Sequence, residues 1–527
     1  MGFRCSNCGG NILFDVDSQS MKCQHCGTMI PPDQFEVKNS STGEDIAEME
    51  LTLFTCGSCG AELQGTEDSQ VGFCPYCGGQ SLLRAPGGGR NLPERLIPFQ
   101  VSRDRCTELF RDHTKRVRYL PKELRDASQL KNFTGIYMPY YEYDVELGAS
   151  HIVGTKVVES TPKYDRVNTY RIDASANGEY CGVPYDASRY YDDEIAARVL
   201  PFDMKKERDF RPAYLSGFYA DASSVPAQTY YRDAEQTASD DVVAEVARRV
   251  MADQGIKVEK GSSRIEAHTR SHHSTMFPLW FLTWRKDERV VYAVVNGESG
   301  KVVSDLPVDM KGFSLGCLGL AAVIFLALEL LVQPTPMITS IVSLIAGVLM
   351  AGSIRSSTRR IFEKETHAND KGWKSGRDPE VTREGSVKRK RGNALLAFGK
   401  RYAVPLLVVL AITISNIFDG DNVTMRSIAS LIAVAAVVYL ILTVLKILEW
   451  QKSVPQRRPA LAILLVLAAV VLNASVVFFS PVGDYWYYLG DAVCILILIA
   501  ASAIMLQVYN ISTTRPLPRL FDREEVG

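Results

Sequence analysis

Two quartets of cysteine constrain this chain more than any other feature. Cys5, Cys8, Cys23 and Cys26 recur as Cys56, Cys59, Cys74 and Cys77, each 51 positions on, with fourteen residues between the CxxC pairs of either set. The flanks recur too: Phe3 with Phe54, Gly9 with Gly60, and Asp17-Ser18-Gln19 with Asp68-Ser69-Gln70. The N-terminal region is therefore an internal duplication. A Cys-x2-Cys-Gly turn aims two thiolates at one centre, and two such turns supply a closed tetrahedral S4 set for zinc. With no open coordination position, each site is expected to be structural. A rubredoxin-like iron site is the alternative metal. Disulfides are the other way to use these thiols, but nothing at the start of the chain reads as a secretory signal, so a reducing compartment is expected.

Mean hydropathy near zero hides two unlike halves. Residues 1–310 are rich in charge and tyrosine, whereas six apolar runs follow, at 313–333, 336–354, 402–419, 427–448, 460–480 and 487–508. Each is long enough for a bilayer. The segment 355–401 holds fourteen Lys or Arg, including Lys388-Arg389-Lys390-Arg391, while the connections around 334, 420 and 482 hold almost none. The positive-inside rule then puts that segment and both termini in the cytoplasm of a plasma-membrane protein. Tyr485, Trp486, Tyr487 and Tyr488 fall on the outer aromatic belt.

The expected fold is multidomain. Zinc ribbons at 1–30 and 52–83 are joined by an acidic linker at 31–51. A Gly-rich hinge at 84–94 leads to a cytoplasmic α+β domain at 95–310. A six-helix transmembrane region at 311–510 carries the cytoplasmic basic loop 355–401 and ends in a cytoplasmic tail, 511–527. Within the α+β domain, residues 240–254 read as an amphipathic helix with Val242, Val243, Val246 and Val250 on one face. Residues 290–304, after Arg289, read as a hairpin turning at Asn296 to Gly300. Two aromatic stretches, 135–147 and 276–288, read as core strands, equivalent members of a duplicated unit.

Candidate chemistry outside the cysteines is thin. Gly312-Phe313-Ser314-Leu315-Gly316 fits a nucleophile-elbow pattern but enters an apolar run, with one histidine, His367, downstream. His268, His272 and His273 lack an HExxH frame and read as exposed or core histidines. No phosphate-binding GxxxxGK[ST] is present. Cys106, Cys181, Cys317 and Cys494 read as unpaired buried thiols. Glu329 and Asp491 are carboxylates inside apolar runs, read as interfacial rather than as an ion path because both lie near outer span ends. Residues 1–85 carry four basic and eleven acidic side chains, a balance that opposes phosphate binding, so no nucleic-acid partner is expected.

The cysteine quartets resemble TFIIB-type zinc ribbons and the ribbons inserted in primosomal helicases. Together with the Asn296-Gly297-x-x-Gly300-Lys301-Val302 hairpin and the C-terminal apolar block, the chain resembles a family of bacterial membrane proteins with tandem TFIIB-type zinc ribbons. The resemblance implies association with SPFH-domain, flotillin-like proteins and with PspA-type envelope-stress systems. On this reading the protein is a non-enzymatic membrane adaptor with two structural zinc ions. It would have protein partners, anionic lipid contacts through the basic loop, and a capacity to oligomerise. A multi-pass transporter or channel, and a membrane-bound nucleic-acid regulator, are the alternatives.

Overall fold

The computed structural model describes residues 3–35, 52–65, 73–79, 82–85, 93–125, 133–160, 165–246, 248, 257–258, 264–286, 288–331, 336–375, 425–451, 458–479, 481–483 and 485–517. The inter-ribbon residues 36–50, the glycines at 87–89, the basic run at 388–391 and the apolar run at 402–419 lie outside them.

The soluble half is organised by long strands. Thr134–Ser160 pairs antiparallel with Arg264–Lys286 on one side and with Asp165–Asp186 on the other. The two aromatic stretches are thus direct neighbours, Met138 opposite Phe277 and Gly135 opposite Trp280. Alternation sends Tyr137, Phe99, Phe218 and Trp280 into one cluster of edge-to-face and stacked rings, with centroids 4.3 to 5.9 Å apart. The core reading of these aromatics holds. Gly135 is required there, because a Cβ would sit 2.6 Å from the Phe218 ring.

Among the described residues thirteen strands join this sheet. The hairpin forms as its sequence implies: Arg289–Asn296 pairs with Val302–Ser304, and the Asn296 side chain accepts from the Glu298 and Ser299 amides at 2.8 and 2.9 Å. The helix expected at 240–254 begins earlier, at Tyr231, and its described part ends at Val246, with Val243 buried and Val242 half-buried. Val250 lies outside the described residues. The histidines stand on a strand rather than a helix. His272 meets the Tyr231 hydroxyl at 3.3 Å, and His273 bridges Glu94 and Asp144. The lone cysteines divide: Cys106 and Cys494 are buried, but Cys181 and Cys317 are exposed, against the expectation for all four.

The C-terminal part is helical. Three helices are long and apolar enough to cross a membrane among the described residues: the Ala433–Trp450 part of Met425–Trp450, Arg458–Phe479 and Tyr485–Ser512. Six are not found. Met310–Leu331 and Pro336–Thr366 are helices as well. The second of these overruns the expected span end at 354, so the first residues of the expected basic loop are helical. Charge ends a membrane span, but arginine and lysine are good helix formers and do not end a helix.

This bundle is apolar inside and out. Its interior mixes small residues, such as Ala433, Ala462, Ala469 and Ala501, with Leu440, Ile447, Ile463 and Val466, while Leu349, Leu445, Leu461 and Leu496 point outward. Small residues let backbones approach closely, so a Cβ on Gly347 would collide with Val470. An exterior of this apolarity suits lipid.

Salt bridges lock the bundle to the sheet. Lys364 pairs with Asp305 at 3.2 Å and donates to the Ser512 carbonyl at 2.7 Å. Glu365 pairs with Arg289, and Arg515 with Asp192. Asn510 and Val308 exchange two hydrogen bonds of 2.8 Å, and Arg515–Pro516 adds a short strand beside Arg289–Val290.

Two carboxyls of the soluble half, Glu142 in the sheet and Asp193 at the start of the helix Asp193–Val199, are destabilising when ionised. Burial, then the nearby Glu207, pushes Glu142 up from 4.5 to about 7, and one of its oxygens has no partner among the described residues. Asp193 is pushed up to about 6 by burial and then by Asp370. At these two carboxyls the folded chain holds protons that the unfolded one has released, from about pH 4.5 to 7. Their contribution to stability falls as pH rises through that window. Glu142→Gln is expected to stabilise the soluble domain at pH 8 by about 1–3 kcal/mol and to flatten its pH profile. Thermal unfolding of the detergent-solubilised protein at pH 5 and pH 8 measures both effects.

Candidate metal centres

Each knuckle is built by the same local bonds. The amide after the second cysteine reaches back to the first cysteine's carbonyl: Gly9 to Cys5 at 2.8 Å, Gly27 to Cys23 at 3.1 Å, Gly60 to Cys56 at 2.8 Å and Gly78 to Cys74 at 2.8 Å. All four glycines have φ between 69° and 74°, a left-handed turn that a side chain would strain. This turn presents both sulfurs on one side of the backbone, and amides from Gly10, His25 and Gly79 point at Cys8, Cys23 and Cys77 sulfur at 3.4 Å.

The quartets close as the spacing implies. Cys5 with Cys26 and Cys8 with Cys23 are 3.7 and 3.5 Å apart at sulfur; Cys56 with Cys77 and Cys59 with Cys74 are 3.5 and 3.7 Å apart. A disulfide needs about 2.05 Å. A tetrahedral zinc with bonds of about 2.3 Å separates its sulfurs by roughly 3.8 Å. The eight residues therefore fit two metal ions and not four disulfides, and the all-thiolate donor set is one that zinc favours. The four thiols of the second set perturb one another strongly. Hydrogen bonding to Cys56 holds the Cys59 and Cys74 thiols far up, while Cys56 is driven down by the same neighbours. A divalent ion relieves this by letting all four ionise together.

The two centres differ in surroundings. In the first, Cys5 and Cys23 are buried but Cys8 and Cys26 are exposed; in the second all four are buried. Both ribbons are fastened to the sheet. In the first, the Phe14 amide donates to the Ser216 carbonyl at 3.3 Å, the Ser216 hydroxyl donates to the Ile12 carbonyl at 2.9 Å, and Gln19 donates to the Phe99 carbonyl at 2.7 Å. In the second, the strand Glu62–Gly65 pairs antiparallel with Tyr219–Asp221, which makes the ribbon part of the main sheet.

Sequence reasoning missed the residue that anchors the second knuckle. Tyr76, between Cys74 and Cys77, is fully buried, and its hydroxyl donates to Asp221, which also accepts from Ser188 at 2.5 Å. Burial lifts Asp221 to about 6, and the Ser188 and Tyr76 bonds hold it below what burial alone would give. Tyr292 and Thr283 donate to the Tyr76 and Pro75 carbonyls. A tyrosine inside a CxxC tip, normally a solvent-facing position, was the available signal.

Of the two intramembrane carboxylates, the side chain of Glu329 lies outside the described residues. Asp491 is near the end of the bundle away from the sheet, as expected, yet it faces inward. It accepts from Thr339 at 2.7 Å, Ser340 at 3.3 Å and Asn473 at 2.8 Å.

No family model matches the chain, and no solved structure matches it. It is 24% identical over 336 residues to the uncharacterized protein YdjG of Bacillus subtilis (strain 168), an alignment covering 63% of this chain and 97% of that protein.

Chelator access should separate the centres. With excess EDTA and a chromogenic zinc indicator, about one equivalent is expected to leave quickly from the half-exposed first site and about one slowly from the enclosed second site. Cys8→Ser should remove the fast phase alone. Cys74→Ser should remove the slow phase and lower the melting temperature of the whole soluble domain, because its ribbon is part of the main sheet.

Proposed function

We propose that the protein is a membrane-anchored adaptor, a non-enzyme whose two zinc-stapled ribbons hold a cytoplasmic protein partner at a fixed place against the membrane. The observation that carries this reading is the double fastening: both ribbons dock on the sheet, and the sheet is clamped by Asp305, Arg289 and Asp192 to the ends of apolar helices. A ribbon tethered by flexible chain would capture a partner anywhere within reach. A ribbon fixed in this way sets both distance and orientation.

On this reading the membrane block has six spans with both termini cytoplasmic. Support comes from charge in the segment 355–401 and from the position of Lys364 and Arg515, which meet the soluble domain at the same end of the bundle. Lys388 to Arg391 would contact anionic lipid. Flotillin-like SPFH proteins and PspA-type envelope-stress proteins are the partner classes that the TFIIB-type resemblance suggests, with self-association a further possibility. The acidic balance of residues 1–85 counts against nucleic acid.

One observation favours a second reading, a transporter or channel: the inward-facing Asp491, whose hydroxyl and amide donors come from two other helices. Buried carboxylates in membrane helices commonly mark ion or proton paths.

Affinity purification from solubilised membranes tests the choice. Asn7→Arg with His25→Glu alters the exposed tips of the first ribbon without touching its ligands. The adaptor reading expects a stoichiometric protein partner that this variant loses while keeping two zinc ions, and that Asp491→Asn retains. If no protein co-purifies and Asp491→Asn alone reproduces the deletion phenotype, the transporter reading replaces it.

A further inference from the structure

A cavity of about 490 Å³ opens where the second ribbon, the sheet, the end of Pro336–Thr366 and the tail after Ser512 converge. Its volume lies in the range of small-molecule sites, roughly 300–1,000 Å³. Tyr76, Tyr190, Phe281 and Trp373 supply aromatic wall, and Arg189 and Arg515 supply cations.

The hydrogen-bond accounting of the cavity is one-sided. Its acidic residues are already engaged: Asp192 by Arg515 and the Glu194 amide, Glu365 by Arg289, and Asp370 by the Trp373 amide at 2.7 Å. Its arginines have capacity left over. Arg515 is 8% exposed and spends Nη1 on Asp192, while its Nη2 has no partner among the described residues. The Nε of Arg189 is likewise buried and without a partner, with its guanidinium over the Tyr190 ring at 5.5 Å and the Trp373 ring at 5.6 Å. A buried charged donor left unpaired costs more than a neutral one. Both side chains line the cavity, so a small turn of either guanidinium brings an unused donor to an acceptor placed there.

We propose that this cavity binds a small organic phosphate, its oxyanion held by Arg189 and Arg515 and its organic part against the aromatic wall. Guanidinium groups reaching the cavity from separate segments suit a tetrahedral oxyanion, which offers acceptors in several directions, better than a planar carboxylate. The same chemistry could be a soluble phosphate ester or a lipid headgroup. Thr366 lies about 18 Å along its helix beyond Ile354, more than the roughly 5–8 Å depth of one headgroup layer, which favours the soluble source.

Titration calorimetry on the full-length protein in detergent, with phenyl phosphate, inorganic phosphate and phenol as probes, tests this. One phenyl phosphate is expected per chain, bound more tightly than inorganic phosphate, with phenol not bound. Arg189→Gln, and Arg515→Lys, which keeps the charge opposite Asp192 but loses Nη2, should each weaken phenyl phosphate about tenfold or more. Both variants are to be checked for two zinc ions and an unchanged melting temperature. Should Arg515→Lys fail that check, Arg189→Gln decides alone. Absence of saturable binding, or binding that a folded Arg189→Gln leaves unchanged, overturns the site. In nanodiscs, equal affinity with phosphatidylglycerol and phosphatidylcholine supports the soluble ester. Competition by phosphatidylglycerol overturns that source and assigns the pocket to a headgroup.

Discussion

The antiparallel ladder between Thr134–Ser160 and Arg264–Lys286 is the element on which everything else is hung. Its aromatic end carries the first ribbon through the Phe99 cluster. Tyr219–Asp221 runs parallel to its start and hands pairing on to the second ribbon. The hairpin strand Arg289–Asn296 extends it toward the tail. Backbone bonds in such a ladder are individually modest, about 1 kcal/mol net, but each fixes register, and a slip by one residue would turn every tyrosine to the wrong face. The ring contacts around Tyr137 and Trp280 make that slip costly.

The ribbons contribute little hydrophobic core of their own. Phe3 and Ile12 in the first and Phe54 and Leu63 in the second are buried at equivalent places of the repeat. A metal ion supplies what so small a core cannot. The duplication has diverged in how it uses this. The first copy keeps two thiolates at the surface, while the second has become a structural course of the main sheet, sealed by Tyr76 and Tyr292.

Much of this was legible from local pattern. The quartets, their closure and the Asn296 turn depend on spacings of a few residues, and the long apolar runs announce a lipid-facing block. The rest depends on pairing between distant segments. Nothing near Glu62 indicates that it will lie beside Asp221, and nothing near Asp491 indicates Thr339 as a partner. Helix Pro336–Thr366 shows a different limit: hydropathy marks where a span ends, not where the helix does, and the overrun is the part that bears Lys364 and Glu365. The cavity was invisible for the same reason, since its walls come from segments spread along the chain from Tyr76 to Leu517.

The short strand Arg515–Pro516, lying beside Arg289–Val290, also bears on biogenesis. These residues are separated by more than two hundred positions, and all of the apolar helices lie between them in sequence. During synthesis the edge at Arg289 must wait, uncovered, until the last helix has been made. Closure of that edge, and pairing of Asp192 with Arg515, then follow completion of the whole helical block. A chain stalled midway would display an open strand edge and an unpaired carboxylate.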